Sequence, residues 1–149
     1  MKLADIKPYQ RNAKEHTSKQ LDLIGGVIRE IGWRQPVEVN QAGTIVVGHG
    51  RWMVWEACKD TLPPIWIVDD TGKTIHGKHD DRPLSEEQEK MWRLADNQLN
   101  AMTGFNMDLV IPELKGLSLE MLDLTGFDRD LILGVDERDD KVSDVPNEP

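Results

Sequence analysis

The chain has one cysteine, one tyrosine and two phenylalanines among its 149 residues. A single thiol, Cys58, closes no internal disulfide, so a disulfide-stapled scaffold is excluded and a reducing cytoplasm suits the chain. Long apolar runs are also missing. Stretches such as Ile45-Val46-Val47 and Ile65-Trp66-Ile67-Val68 fall far short of the ~20 residues of a membrane-spanning helix. The opening Met-Lys-Leu-Ala-Asp holds no apolar segment of the signal-peptide kind. There is no basic excess: 18 Lys and Arg stand against 27 Asp and Glu, a net charge of −9. That acidity excludes non-specific coating of nucleic acid over the whole surface. What is present is a 38% hydrophobic fraction, enough for a packed core and too much for wholesale disorder. The length fits one domain, or one domain with a tail.

The charge is uneven. Residues 1–68 carry nine basic and seven acidic side chains, a net of +2. Residues 69–135 carry seven and fourteen, a net of −7, and residues 136–149 carry two and six, a net of −4. An anion is therefore better received by the first half than by the rest.

Leu3 and Ile6 suit a short strand. Thr17 with Gln20 reads as a capping box, and Leu21, Ile24, Ile28 and Ile31 follow at helical spacing up to Gly32, a left-handed cap. Gly25-Gly26 inside this helix predicts close packing against a strand. Val37-Glu38-Val39 and Thr44–Val47, joined through Asn40–Gly43, read as a hairpin. Gly48-His49-Gly50-Arg51 forms a turn into a helix over Trp52–Lys59, with Trp52, Trp55 and Ala57 or Cys58 buried. Pro63-Pro64 stops that helix, Ile65–Val68 is a buried strand, and Asp69-Asp70 closes it. Residues 71–84, with Gly72, Gly77, Pro83 and many charges, read as a surface loop. Ser85 and Gln88 form a second capping box, before a helix with Met91, Leu94, Ala95, Leu99 and Met102 on one face. Asn106, Ser118 and Asp128 each cap a short helix. The composition of residues 136–149 reads as a disordered acidic tail. The expected class is α+β: a small mixed sheet with packed helices over 1–101, then a short helical extension over 102–135.

Gly48-His49-Gly50-Arg51 is the segment best suited to chemistry. A strand–glycine–helix junction aims free backbone N–H groups at an anion. Two glycines permit close approach of a ligand, and Arg51 can fork onto phosphate oxygens. His49 can donate a hydrogen bond or act as acid or base. No Gly-Lys-Ser/Thr follows, so this is not a Walker A loop. His76-x-x-His79-Asp80-Asp81 could supply metal ligands by type, but its glycine- and lysine-containing context reads as a charged, solvated loop. Trp33 lies between Gly32 and Gln35, where either packing or stacking on a ligand is open to it. The other tryptophans, 52, 55, 66 and 92, read as core or interface.

Five blocks resemble the N-terminal domain of the ParB family, the ParB/sulfiredoxin fold. They are Ile28-Arg29-Glu30-Ile31-Gly32, Gln35-Pro36-Val37-Glu38-Val39, Ile45–Arg51, Pro64–Asp70 and Leu94-Ala95-Asp96-Asn97-Gln98-Leu99. Thr125-Gly126-Phe127 resembles the C-terminal end of stand-alone or methyltransferase-linked members from phages and mobile elements. The resemblance covers about residues 3–101 and implies a nucleotide pocket. Gly48, His49, Gly50 and Arg51 would hold the triphosphate of CTP or ATP, with His49 and Arg51 as the acting residues. Gly32, Gln35 and Pro36 would line the base side. Asp96 and Asn97 would hold the phosphates and Mg²⁺.

The chain also departs from the family. His49 and Gly50 replace the Glu and first Arg of the usual Gly-Glu-Arg-Arg turn, which removes one phosphate clamp and weighs against hydrolysis. Asn100 stands near the place of an Arg. The turn lacks the Cys of sulfiredoxins, so sulfinic-acid reduction is not expected. No basic recognition helix follows. The resemblance implies a nucleotide-binding switch beside DNA-handling partners of a phage or plasmid, a homodimer being one possible state. Three alternatives remain open. One is a non-enzymatic accessory domain for a DNA methyltransferase or packaging protein. Another is a metal-dependent DNA nuclease, which requires His49, Asp69, Asp70 and Asp96 to converge. The last is a phosphotransferase.

Overall fold

A computed structural model describes residues 1–12, 14–102 and 104–133. The expected acidic tail at 136–149 lies outside the described residues. The chain divides into two compact units, the boundary falling after Gly104.

The first unit opens with a 3-10 turn, Leu3–Asp5, where a strand was expected. The strand-like part comes later and is one bridge long: the Lys7 N–H donates to the Gly43 carbonyl, and the Ile45 N–H donates to the Lys7 carbonyl. Asp5 closes the turn earlier by accepting from the Lys2 N–H at 2.8 Å. After a two-residue strand β1 (Lys14–Glu15), helix α1 runs over Ser18–Ile31. Thr17 caps it through the Gln20 N–H at 3.1 Å. The Gln20 side chain does not complete the box; it is buried and bonds His16 instead. Gly25 lies against Val54 of a second helix, not against a strand.

Strands β2 (Val37–Val39) and β3 (Ile45–Val47) form the expected antiparallel hairpin. The Asn40 side chain closes it, accepting from the N–H groups of Ala42 and Thr44. Helix α2 spans His49–Cys58, so three residues read as turn are its first turn. Strand β4 (Ile67–Asp69) returns parallel to β2. Strand β5 (Thr74–His76) pairs antiparallel with β4, inside the stretch expected to be loop. Asp69 makes that second hairpin: its Oδ1 accepts from the Thr71 and Lys73 N–H groups and the Thr71 hydroxyl. The sheet order is β3-β2-β4-β5, a small mixed sheet in an α+β unit. Its core gathers Val37, Val39, Ile45, Ile65 and Ile67 with Trp33, Trp52 and Trp55. Ala57 is exposed and Cys58 half-buried.

Helix α3 (Glu86–Met102) starts at a complete capping box: Gln88 N–H to the Ser85 hydroxyl at 3.1 Å, and Ser85 N–H to Gln88 Oε1 at 3.0 Å. Its inner face is the expected one at Met91, Ala95, Leu99 and Met102, and differs at Leu94. Ala95, with Met91 and Trp92, packs on Val27 and Ile31, while Leu94 is 64% exposed. Strand β6 (Gly104–Phe105) follows, its first residue being the last of the first unit.

The second unit holds α4 (Met107–Lys115), α5 (Leu119–Leu124) and α6 (Asp130–Leu133). Asn106, Ser118 and Asp128 cap them as expected. Val110, Leu114 and Leu122 are buried, and Arg129 forks onto Asp123 with bonds of 2.7 and 2.6 Å.

Candidate functional site

The junction of β3 and α2 is built on Gly48. Its φ of +100° turns the chain from strand to helix, a conformation that penalises a side chain. A Cβ there would also press on the Val37 backbone at 3.1 Å. No side chain caps α2, so the first-turn N–H groups of His49, Gly50 and Arg51 keep the partial positive charge of a helix start. Gly50 is needed for a different reason: a Cβ would meet the His16 ring at 2.9 Å.

These residues open on a cavity of about 500 Å³, within the range typical of small-ligand sites. Arg51 is the cation at the junction itself, with Lys14 and Arg34 elsewhere in the lining. Nη2 donates to the Pro36 carbonyl at 2.8 Å, Nε to the same oxygen at 3.3 Å, and Nη1 to Gln35 Oε1 at 3.4 Å. Both acceptors are neutral groups, and among the described residues Arg51 has no carboxylate within ion-pair distance. Burial lowers its pKa from the ordinary value, and the more distant Asp96 opposes that shift. A largely desolvated guanidinium without a bonded counter-charge favours an anion.

Two imidazoles flank it. His49 Nε2 accepts from the Tyr9 N–H at 3.2 Å, which makes its neutral form carry the proton on Nδ1. His16 is held by a chain of bonds. Gln20 Nε2 donates to the Leu99 carbonyl, so Gln20 Oε1 accepts from His16 Nδ1 at 3.0 Å. His16 Nε2 is thereby an acceptor, and it is buried without a partner. Both pKa values are lowered, first by burial. For His16 the Gln20 bond opposes the shift and Lys14 adds to it; for His49, His16 and Lys14 add to it. Near neutral pH the two rings are neutral, and Arg51 shares the cavity with Lys14, Arg34 and Asp96.

Of the residues singled out from sequence, Gly32, Gln35, Gly48, His49, Gly50, Arg51 and Asp96 line one cavity. Pro36 contributes through its carbonyl to Arg51. Asn97 is not in the cavity lining, whereas Asn100, one turn beyond Asp96, is. The helical period explains the difference, since position i+4 shares a face with i and position i+1 does not. Trp33 is only 2% exposed and donates its indole N–H to the Pro63 carbonyl at 3.0 Å; it is a fixed wall. His16, Gln20, Trp92 and Asn100 were not foreseen. The His16–Gln20 spacing of four was the available signal for the first two.

The donor set suits Mg²⁺ in one way only. Asp96 offers a carboxylate and Asn100 an amide, and Mg²⁺ is commonly held by one or two carboxylates completed by phosphate oxygens and water. Among the described residues no three His, Cys, Asp or Glu side chains form a metal cluster. The four residues a nuclease centre would need do not converge. Asp69 is committed to its hairpin turn and lines a separate depression with Lys7 and Gln41, and Asp70 accepts from Gln41. The His76–Asp81 segment is likewise dispersed: His76 bonds the Ile65 carbonyl, His79 bonds Asp81, and Asp80 pairs with Arg82. Cys58 sits at the other end of α2.

No helix among the described residues is long and apolar enough to cross a membrane. No family model matches the chain, and no solved structure matches it. Among curated proteins it is similar to the ParB-like nuclease domain-containing protein YnaK of Escherichia coli strain K12. The two are 38% identical over 64 residues, 42% of this chain and 74% of that protein. With the mixed sheet and the glycine junction in place, that match settles the kinship: the chain belongs to the ParB-like domain family.

Proposed function

We propose that the chain binds a nucleoside triphosphate, CTP or ATP, at the Gly48–Arg51 junction and acts as a switch or accessory factor in phage or plasmid DNA metabolism. The observation that carries this reading is Arg51: a largely buried guanidinium beside an uncapped helix start, with only neutral hydrogen-bond partners. Phosphate oxygens supply the charge that Pro36 and Gln35 do not. Asp96 and Asn100 would hold a Mg²⁺ ion whose chemistry here is neutralisation of phosphate charge. Hydrolysis is not part of the proposal. Neither imidazole is placed as a base for water: His49 Nε2 is occupied by Tyr9, and His16 Nε2 is covered.

The printed name of the Escherichia coli relative carries the word nuclease, which makes DNA cleavage the second reading. It requires a metal centre other than His49, Asp69, Asp70 and Asp96. The two readings separate in one pair of assays. Calorimetric titration with Mg²⁺ and each of CTP, UTP, ATP and GTP is expected to show binding that Arg51→Ala weakens at least tenfold, the scale of a lost charge-assisted contact. Metal-dependent nicking of plasmid by the purified protein, with no nucleotide bound at millimolar concentration, would replace the first reading by the second.

A further inference from the structure

The same cavity is lined by the first turn of α2 with Arg51 and by Trp92, a half-buried indole on α3. Trp92 packs on Val27 and Ile31 yet lines the cavity. With Gln35 and Asp96 it also lines a neighbouring depression, so these three side chains form the sill between two open spaces. Among the described residues the Trp92 indole N–H has no partner. Gln35 accepts from Arg51 through Oε1, which leaves its amide N–H groups as donors at the same sill. Asp96 lies four residues from Trp92, about 6 Å along the helix axis. It is also close enough to Arg51 to influence that charge.

Trp92 thus brings an aromatic side chain to the lining that also holds Arg51 and Gln35. Resting on the nucleotide reading above, we propose that Trp92 is the stacking platform for the ligand's base, with the Gln35 amide N–H groups donating to an acceptor on the edge of that base. A base–indole stack tolerates many bases, because each has a π-face; selection among them falls to Gln35.

The full chain and its Trp92→Leu and Trp92→Phe variants are titrated with inorganic tripolyphosphate and with the four Mg²⁺ nucleoside triphosphates. The preferred nucleotide is expected to bind the wild type about tenfold more tightly than tripolyphosphate, in the range of one stacked base. In Trp92→Leu that ratio is expected to fall to about one, with tripolyphosphate affinity unchanged. Trp92→Phe, which keeps an aromatic face, is expected to retain most of the ratio, and unchanged tripolyphosphate binding in both variants reports an intact fold. A nucleotide-to-tripolyphosphate ratio unaltered in Trp92→Leu overturns the stacking role and leaves the phosphate site standing. Failure of both ligand classes to bind the wild type overturns the nucleotide reading, and the stacking role with it.

Discussion

At the scale of single residues, charge and desolvation govern the site. Arg51 is held by neutral acceptors, and His16 and His49 are kept neutral by burial. Both histidines have folded pKa values below the ordinary 6.5. The stability they contribute is complete above that unfolded value and is lost as pH falls through the folded values. Urea midpoints are expected to be level above about pH 7 and to drop as pH falls below 6.5. Part of that drop is expected to disappear in a His16→Phe/His49→Phe double variant. An equal drop in the variant would place the acid sensitivity elsewhere. Anion binding runs the other way: protonated rings add positive charge, so wild-type tripolyphosphate affinity is expected to rise as pH falls through the same window. The residues carrying this behaviour were unequally legible. Arg51 and its glycines announce themselves as a motif. His16 does not, because its role depends on a contact with Gly50 some 34 positions away and on a bond chain reaching Leu99.

At the scale of elements, side-chain caps were the most readable features. Thr17, Ser85, Asn106, Ser118 and Asp128 each stand where the structure uses them. Strand β5 was hidden because its flanks are charged and glycine-containing, which is also what an Asp69-centred hairpin turn requires. The face of α3 was misjudged at Leu94, which is exposed, because hydrophobicity alone does not fix every position of a helix face. The start of α2 was set three residues late since glycine argues against helix; here Gly50 is tolerated for the room it gives His16. Gly48→Ala is expected to cost about 1–3 kcal/mol, because a left-handed residue acquires a side chain that also meets Val37. Chemical denaturation measures it, and a loss below 0.5 kcal/mol, the usual range of surface changes, would show that the junction is not strained in this way.

At the scale of the whole molecule, the net charge of −9 does not describe the site. The glycine junction lies in the half with a net of +2, and the lining of the cavity belongs wholly to the first unit, between Asn12 and Asn100. A chain ending at Gly104 is therefore expected to bind the same ligand with the same affinity; a tenfold loss would assign part of the site to the second unit. Raising the salt concentration is expected to weaken binding modestly, as befits a few partly screened charges. The most direct measurement is calorimetric titration of the intact protein with Mg²⁺ and CTP, UTP, ATP and GTP in turn, beside Arg51→Ala. Saturable binding of at least one nucleotide, weakened tenfold or more by the substitution, is the expected result. No binding of any of the four at millimolar concentration, or equal affinity in the variant, would contradict a phosphate site at Arg51.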